Sequence, residues 1–170
     1  MRRLTGFDRV MIYRFDAEWN GEVIAEAASA SPVSYLALRF PASDIPAQVR
    51  QLFLLNPLRA IADIDATAVP VVPDVGPLTG RPLDLMRSFL RSSSRIHLEY
   101  LRNMGVQSSL TVSIIVGARL WGMITCHHTA PRRLDWSTRS VCELIGRTLA
   151  LLVALRMDNA ALRSHGIWRE

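Results

Sequence analysis

The chain has 170 residues and a mass of 19.0 kDa, which suits one domain with a single core. Hydrophobic residues make up 49% and charged residues 21%, values that exclude a disordered or collagen-like chain. No apolar run reaches the roughly 18–20 residues of a membrane span, and no apolar signal core follows the basic N-terminus. We therefore expect a cytoplasmic protein without a membrane partner.

The charge balance gives a formal net charge of +5 and an isoelectric point near 10.2. All 20 basic residues are arginines, for which a GC-rich coding bias is the plainest explanation. They are scattered and carry no nucleic-acid-binding motif, so we expect no nucleic-acid partner. The planar arginine fork also matches carboxylates, which favours a small anionic ligand. The two cysteines, Cys126 and Cys142, are expected to be free thiols.

The N-terminal part predicts an antiparallel hairpin. Alternating residues over Arg9–Asp16 and Gly21–Ala28 indicate two strands, and the Asn-Gly pair within Trp19–Gly21 indicates the turn between them. Residues 29–45 are expected to be irregular because of their prolines. A helix is expected from Pro46 to about Leu55, with Asp44 as its cap.

The middle of the chain alternates short apolar runs with prolines. We expect a short strand near Ala68–Val72, then a loop and a helix near Leu83–Arg91. The serines at 92–94 can cap a further helix over Arg95–Met104, which Gly105 would end.

A second hairpin and a long helix complete the chain. The strands are predicted over Ser108–Val116 and Leu120–His127, joined by a turn at Gly117–Arg119. Asp135 or Ser137 would open a helix that runs to roughly Leu162. The apolar positions expected to face the sheet are Val141, Ile145, Thr148, Leu149, Leu152 and Leu155.

The order of hairpin, helix-rich insertion, hairpin and terminal helix indicates an α+β domain. Its antiparallel sheet would carry helices on one face and long loops over the other. A partly polar pocket under those loops is where a ligand would bind.

Catalytic and metal sites find little support. Cys126 and His127 are adjacent on a strand and would point to opposite faces, which argues against a metal site. Nothing matches a nucleophile elbow, a phosphate-binding loop or a kinase motif. A thiol redox site would need Cys126 and Cys142 to converge, and no sequence feature brings them together. We therefore expect neither a metal nor an enzyme.

A binding site is the better interpretation. Arg59 and Arg91 precede turns, His97 follows a serine cluster, and hydroxyl side chains line the start of the strand over Ser108–Val116. Aromatic residues come from four different elements, namely Tyr13, Phe40, Phe53 and Tyr100. A ligand with carboxylates, N–H groups and a large conjugated body would use all these types. For each residue alone, a solvated charge or a core aromatic is the ordinary alternative.

Several motifs resemble the bilin-binding GAF domain of bacteriophytochromes. They are GFDRVMIYRFD with GEVIAEA near the N-terminus, FPASDIP at 40–46, IHLEYLRNMGV at 96–106, SSLTVSI at 108–114 and LWGMITCHH at 120–128. The resemblance covers nearly all of residues 4–155. It implies a single GAF domain over 1–170 with an antiparallel sheet of five to six strands, flanking helices, a long insertion covering the pocket and a truncated first helix.

The resemblance also implies a function. The chain would bind biliverdin, a linear tetrapyrrole, and support its photoisomerisation as the light-sensing module of a red/far-red photoreceptor in bacterial signal transduction. The alternative is a bilin-free GAF domain that serves dimerisation or senses another small ligand.

The site residues follow from the same motifs. The resemblance implies that the Asp44 carbonyl, with Ile45 beside it, meets the pyrrole N–H groups. His97 would pack by the inner rings. Arg59 and Arg91 would clamp one propionate, as expected for carboxylates that meet arginine forks.

The remaining implied contacts lie at the other propionate and the last ring. Ser109 and Thr111 would supply hydroxyls to the second propionate, and His127 would lie near the carbonyl of the last ring. The aromatic side chains implied around that ring are Tyr13, Phe40 and Tyr100. Phe53 stands where many relatives carry a tyrosine, so one hydroxyl is lost there.

Attachment and partners complete the implications. The attaching cysteine of bacteriophytochromes lies upstream of the GAF domain, Ile96 occupies the alternative position, and Cys126 would lie by the pocket without being the attachment site. We therefore expect non-covalent biliverdin. We also expect a homodimer through the terminal helix, by way of Leu151, Ala154, Leu155, Ala161 and Leu162. A full-length protein would add PAS, PHY and histidine kinase modules.

Overall fold

The computed structural model describes residues 1–29, 33–89 and 91–166. The helices are Arg2–Thr5 (α1), Ala47–Leu55 (α2), Arg95–Asn103 (α3) and Trp136–Gly166 (α4). The strands are Arg9–Phe15 (β1), Gly21–Ala28 (β2), Arg39–Phe40 (β3), Leu58–Ile61 (β4), Ser108–Val116 (β5) and Arg119–His128 (β6).

The six strands form one sheet in the order β3-β2-β1-β6-β5-β4, and all neighbouring pairs are antiparallel. The predicted α+β class and the predicted number of strands are confirmed. The two hairpins meet where β1 pairs with β6, with Arg9 opposite His127 and Tyr13 opposite Met123. This pairing brings the first and last strands of the chain together at the centre of the sheet.

The strand alternation gives the sheet two different faces. On one face, residues such as Val10, Val112 and Ile124 form a buried core with Cys142 and Ala150 of α4. The opposite face carries an aromatic cluster of buried side chains against which residues from the loops and α2 pack. Helices were expected on one face only. That expectation is wrong for α2, because its Phe53 packs on the loop-covered face.

The long helix α4 begins where the sequence predicts, because Asp135 caps it. The Thr138 amide donates to Asp135 Oδ1 at 2.7 Å. The side chains that face the sheet are Cys142, Ile145, Leu149 and Ala150, whereas Val141, Thr148, Leu152 and Leu155, which were expected to pack there, are exposed. Gly146 accounts for this difference in the face that α4 turns to the sheet, because a Cβ at Gly146 would lie 2.6 Å from Val112 Cγ1. No helix in the described ranges has the length and apolar character needed to cross a membrane.

Two predicted elements in the insertion are wrong. Residues 68–72 form no strand, and the strand that pairs with β5 is β4, whose Leu58 and Ile61 are buried while Val69 is 87% exposed. The predicted helix over Leu83–Arg91 is a series of turns in its described part, with Leu90 outside the described residues. Its carbonyls accept hydrogen bonds from distant side chains instead of forming a helical ladder.

Three other local predictions are wrong in part. Residues 29–45 were expected to be irregular, but Arg39–Phe40 form β3. The first turn lies over residues 16–20, so Gly21 belongs to β2 rather than to the turn. It must be glycine there, because a Cβ would lie 1.6 Å from Tyr13 Cζ. Asp44 does not cap α2; it ends a short 3₁₀ turn, Ala42–Asp44, and α2 follows Pro46 without a side-chain cap.

Candidate functional site

The loop-covered face of the sheet presents its side chains in three cross-strand rows. The rows read Arg9–His127–Ser109–Ile61, Met11–Thr125–Thr111–Arg59 and Tyr13–Met123–Ser113. Residues directly opposite each other on antiparallel strands share a face. Four of the predicted site residues therefore lie on this face near β4, β5 and β6, and Tyr13 lies on it toward β2.

The predicted aromatic residues gather at the Tyr13 end of this face. The ring centroids of Tyr13 and Phe40 are 5.8 Å apart, and Phe40, Ile45 and Phe53 pack against the same cluster. Burial, and then the negative charge of Asp44, raise the pKa of Tyr13. Ile45, the next residue, packs in this cluster, so the Asp44 backbone lies beside the aromatic end of the groove between the sheet face and the segments that cover it.

Tyr100 links this end to helix α3. Burial, and then Asp44, also raise the pKa of Tyr100. The Tyr100 ring is stacked with the His97 ring at a centroid distance of 6.4 Å and an angle of 14°. Both side chains come from α3, which Ser94 caps: its Oγ accepts from the His97 amide at 3.3 Å. The surrounding protein atoms and the Arg59 charge lower the pKa of His97.

The Arg59 guanidinium donates hydrogen bonds that hold the chain around Arg91. It donates to the carbonyls of Phe89 at 3.3 Å and Arg91 at 2.6 Å, and to Ser93 Oγ at 3.0 Å. Burial, and then the nearby Arg91 charge, lower the pKa of Arg59 to about 10. The sequence did not predict this use of Arg59, which holds two like charges side by side.

Arg91 has a donor left for a ligand. Its Nε is buried and has no hydrogen-bond partner among the described residues. A buried charged donor without a partner is costly. The pair of Arg59 and Arg91 therefore suits an anionic group.

His127 is a second buried group with a free nitrogen. The residue is 8% exposed, and its Nδ1 has no hydrogen-bond partner in the described chain. Burial, and then the charges of Arg9 and His97, lower the pKa of His127 to about 4. His127 is therefore a neutral imidazole near neutral pH.

Sequence reasoning missed a buried ion pair at the same end of the face. Arg9 Nε lies 3.0 Å from Glu26 Oε1, and the Arg9 guanidinium lies 3.9 Å from the centre of the Tyr35 ring. Glu26 also accepts from the Tyr35 amide at 3.1 Å, and Arg9 donates to the Val33 carbonyl. The alternation within β1, which puts an arginine in line with Met11 and Tyr13, was the available signal.

Cys126 lies behind the site, contrary to expectation. It faces α4 and is fully buried in the same core as Cys142. The expectation that nothing brings the two cysteines together is therefore wrong. Both are free thiols, and burial, and then Cys142, raise the pKa of Cys126 to about 12. A thiol so strongly protonated is a poor nucleophile.

The predicted site residues other than Arg91 lie on the loop-covered face or on the segments above it. They come from β1, β4, β5 and β6, from residues 40–45, and from α2 and α3. Arg91 lies in the loop that Arg59 holds and lines a cavity at the β4 edge with Ala60, Phe89 and Trp136. No described contact tests which of the twelve predicted site residues touch a ligand, so their roles as ligand contacts stay predictions.

The depressed pKa of His127 predicts a pH dependence of stability. The unfolded chain takes up this proton near the ordinary value of 6.5 and the folded chain only near 4. The contribution is therefore fully present above about pH 6.5 and is lost as the pH falls toward 4. Between pH 7 and pH 5, urea unfolding of the wild type should lose about 2 kcal/mol more than that of His127→Gln. Equal losses would contradict this assignment.

Comparison with solved structures identifies the same architecture elsewhere. The chromophore-binding domain of an unusual bacteriophytochrome from R. palustris superimposes with a TM-score of 0.90 at 46% identity, covering 94% of this chain and 52% of that one. A longer structure of that bacteriophytochrome superimposes with a TM-score of 0.91 at 46% identity, covering 95% of this chain and 32% of that one.

Curated relatives agree with the structural comparison. A cyanobacterial phytochrome B from a Nostoc species is 48% identical over 159 residues, covering 94% of this chain and 21% of that protein. A bacteriophytochrome from Xanthomonas campestris is 53% identical over 150 residues, covering 88% of this chain and 24% of that protein. The chain thus spans about a fifth to a quarter of the length of these relatives. The GAF domain family model matches residues 1–157, and the chain belongs to the GAF domain family.

Proposed function

We propose that this chain is the bilin-binding, light-sensing module of a red/far-red photoreceptor, and that its bilin is biliverdin. The observation that carries the proposal is the pair of buried nitrogens without hydrogen-bond partners among the described residues, Arg91 Nε beside Arg59 and His127 Nδ1 in the row of Arg9 and Ser109. A ligand that supplies an anionic group to one and a polar group to the other would satisfy both. The resemblance of the motifs to bacteriophytochromes adds the identity of that ligand.

The chemistry of the remaining groups fits a linear tetrapyrrole. Arg59 and Arg91 offer guanidinium donors for one propionate, and the hydroxyls of Ser109 and Thr111 lie one row apart on β5 for the other. The Asp44 backbone at the groove edge offers an acceptor for pyrrole N–H groups. The aromatic end supplies apolar area for the conjugated body, at roughly 25 cal/mol per Å² buried.

The residues bind and position the pigment rather than transform it. A bound bilin supplies light absorption and a double bond that isomerises. Tyr13 and Phe40 enclose the aromatic end, and His127 presents an uncharged imidazole at the base of the groove. We propose no enzymatic activity for this chain, because a light-driven change between two states of similar energy needs no substrate turnover.

The relatives support wider proposals about the whole protein. Two are named bacteriophytochrome or phytochrome, and the solved R. palustris domain is described as chromophore-binding. We propose that the complete protein adds PAS, PHY and histidine kinase modules. We also propose a cytoplasmic location, which suits the two free thiols.

Biliverdin titration tests the function. The purified chain mixed with biliverdin should develop a red-shifted, narrowed absorbance band that changes reversibly on illumination. A Cys126→Ala, Cys142→Ala variant should behave as the wild type, because both thiols lie behind the sheet. After acid denaturation the pigment should separate from the polypeptide, as non-covalent binding requires. A wild type without the band would favour the bilin-free alternative, and pigment that stays on the chain would refute non-covalent binding.

Substitutions of Arg91 are expected to weaken the binding of biliverdin to different degrees. Arg91→Ala should weaken biliverdin binding about tenfold or more, since a charge-assisted hydrogen bond contributes roughly 1.5–3 kcal/mol and each 1.4 kcal/mol is a factor of ten. Arg91→Lys should recover only part, because lysine lacks the bidentate fork. Arg147→Ala is the matched control, since Arg147 is an exposed arginine paired with Glu143 on α4. Equal affinity of Arg91→Ala and Arg147→Ala would argue against the propionate clamp.

We further propose that α4 pairs with α4 of a second copy of the chain. Four of its exposed apolar residues, Val141, Leu144, Leu151 and Leu155, form one stripe with Thr148 between them, and Trp136, Leu152 and Met157 are exposed outside that stripe. The spacing of three and four residues within the stripe is that of a coiled-coil seam. Leu151 and Leu155 belong to the edge predicted from the sequence, whereas the Leu162 side chain lies outside the described residues.

Light scattering tests this pairing. The wild type at micromolar concentration should show twice the 19.0 kDa monomer mass. Leu151→Glu should shift the mass to the monomer without unfolding the chain, because Leu151 is 67% exposed. Arg156→Glu, a charge change at an exposed residue outside the seam, is the control. A monomeric wild type would overturn the proposal.

A further inference from the structure

Trp19 lies between two arginines at one end of the groove. It belongs to the turn between β1 and β2 and has a positive φ of 71°. The Cζ atoms of Arg50 and Arg119 lie 4.6 Å and 4.8 Å from the ring centre. Both distances are typical of cation–π contacts. The two arginines therefore contact the same ring in a similar way.

Of the two arginines, Arg50 is the one that connects this ring to the predicted bilin site. Its Nη1 donates to the Ile45 carbonyl at 2.6 Å and more weakly to the Ala42 carbonyl at 3.4 Å. These carbonyls flank Asp44 on either side. Arg119 instead donates to the Asp16 carbonyl at 3.0 Å, within the β1–β2 turn.

The same turn holds the other end of the segment. Asn20 Oδ1 accepts from the Ala42 amide at 3.2 Å. Asn20 is in turn held by Asp16, which accepts from its amide at 2.8 Å and from its Nδ2 at 3.1 Å. The segment from Ala42 to Ile45 is therefore fastened at both ends to the turn that carries Trp19.

These contacts matter because the segment from Ala42 to Ile45 has little regular structure of its own. Its 3₁₀ turn has three residues, and within it the Asp44 amide donates to the Pro41 carbonyl at 3.0 Å. Asp44 itself is exposed. Its place near Tyr13 and Tyr100 therefore depends on the backbone and not on burial of its side chain.

We propose that Arg50 is a positioning residue of the groove, which fixes the backbone around Asp44 through the Ile45 carbonyl while Trp19 holds its guanidinium. The inference rests on the proposed bilin site for its functional meaning. It assigns to Arg50 a task that Arg119 does not share, although both contact Trp19.

Arg50→Met and Arg119→Met form a matched pair that tests this task. Each keeps an unbranched apolar stem and removes one cation from Trp19, but only Arg50→Met removes the bond to Ile45. Hydrogen exchange without pigment should be about tenfold faster at the Asp44 and Ala42 amides in Arg50→Met and unchanged in Arg119→Met. Arg50→Lys keeps one charged donor and should restore most of the protection.

The pigmented protein supplies the second measurement. In Arg50→Met, biliverdin should bind at least fivefold more weakly and its absorbance band should broaden, whereas Arg119→Met should retain the wild-type band. Urea unfolding of both variants shows whether they are equally stable. A wild type that binds no biliverdin would defeat the proposed function, and hydrogen exchange would still decide the positioning role. Identical exchange rates in the two methionine variants would overturn that role. If Arg50→Met does not fold, the role would be supported by wild-type exchange in Arg119→Met together with intermediate exchange in Arg50→Lys.

Discussion

The register between β1 and β6 is the constraint on which the site depends. Because side chains alternate along a strand, a slip of one residue would send Arg9 and Tyr13 into the α4 core and bring Val10 into the groove. Gly122 lies at this junction, where a Cβ would come within 2.4 Å of the Tyr13 carbonyl. The close approach of β1 and β6 thus keeps a polar, aromatic face opposite an aliphatic one.

The charges of Arg9, Arg59 and Arg91 lie in three different environments. Arg9 is neutralised by Glu26, and Arg59 gives its donors to two carbonyls and a serine. Arg91 keeps a buried Nε without a partner among the described residues. Since an unpartnered buried donor is costly, the Arg91 Nε is the donor left for an anion. Arg59 joins Arg91 there while it holds the Arg91 loop, and Arg9 is structural. His127 stays neutral because burial, and then the charges of Arg9 and His97, lower its pKa.

Local rules predicted the parts of the fold that local interactions determine. Strand alternation, the Ser94 cap and the Asp135 cap all lie within a few residues of what they control. The helix predicted over Leu83–Arg91 was wrong because carbonyls there accept from distant side chains, Met86 from Asn56 and Phe89 from Arg59. The site residues came from motif resemblance, whereas the roles of Arg9 and Arg50 depend on contacts with the 33–45 segment that no short motif encodes.

The two walls of the groove are held by different forces. The wall formed by β5 and β6 belongs to a ladder of nine and ten residues, so moving it would break many hydrogen bonds together. The described part of the opposite wall, residues 33–45, has the two-residue strand β3 and two backbone hydrogen bonds that join Ala37 and Leu38 to Val23 of β2. Side-chain contacts hold much of the rest, namely Arg9 with Glu26 near Tyr35 and Arg50 together with Asn20 near Ala42–Ile45. A few side-chain contacts can shift at a smaller cost than a ladder. In the proposed photoreceptor, a ring that rotates against both walls would therefore displace residues 33–45 before it displaced the sheet.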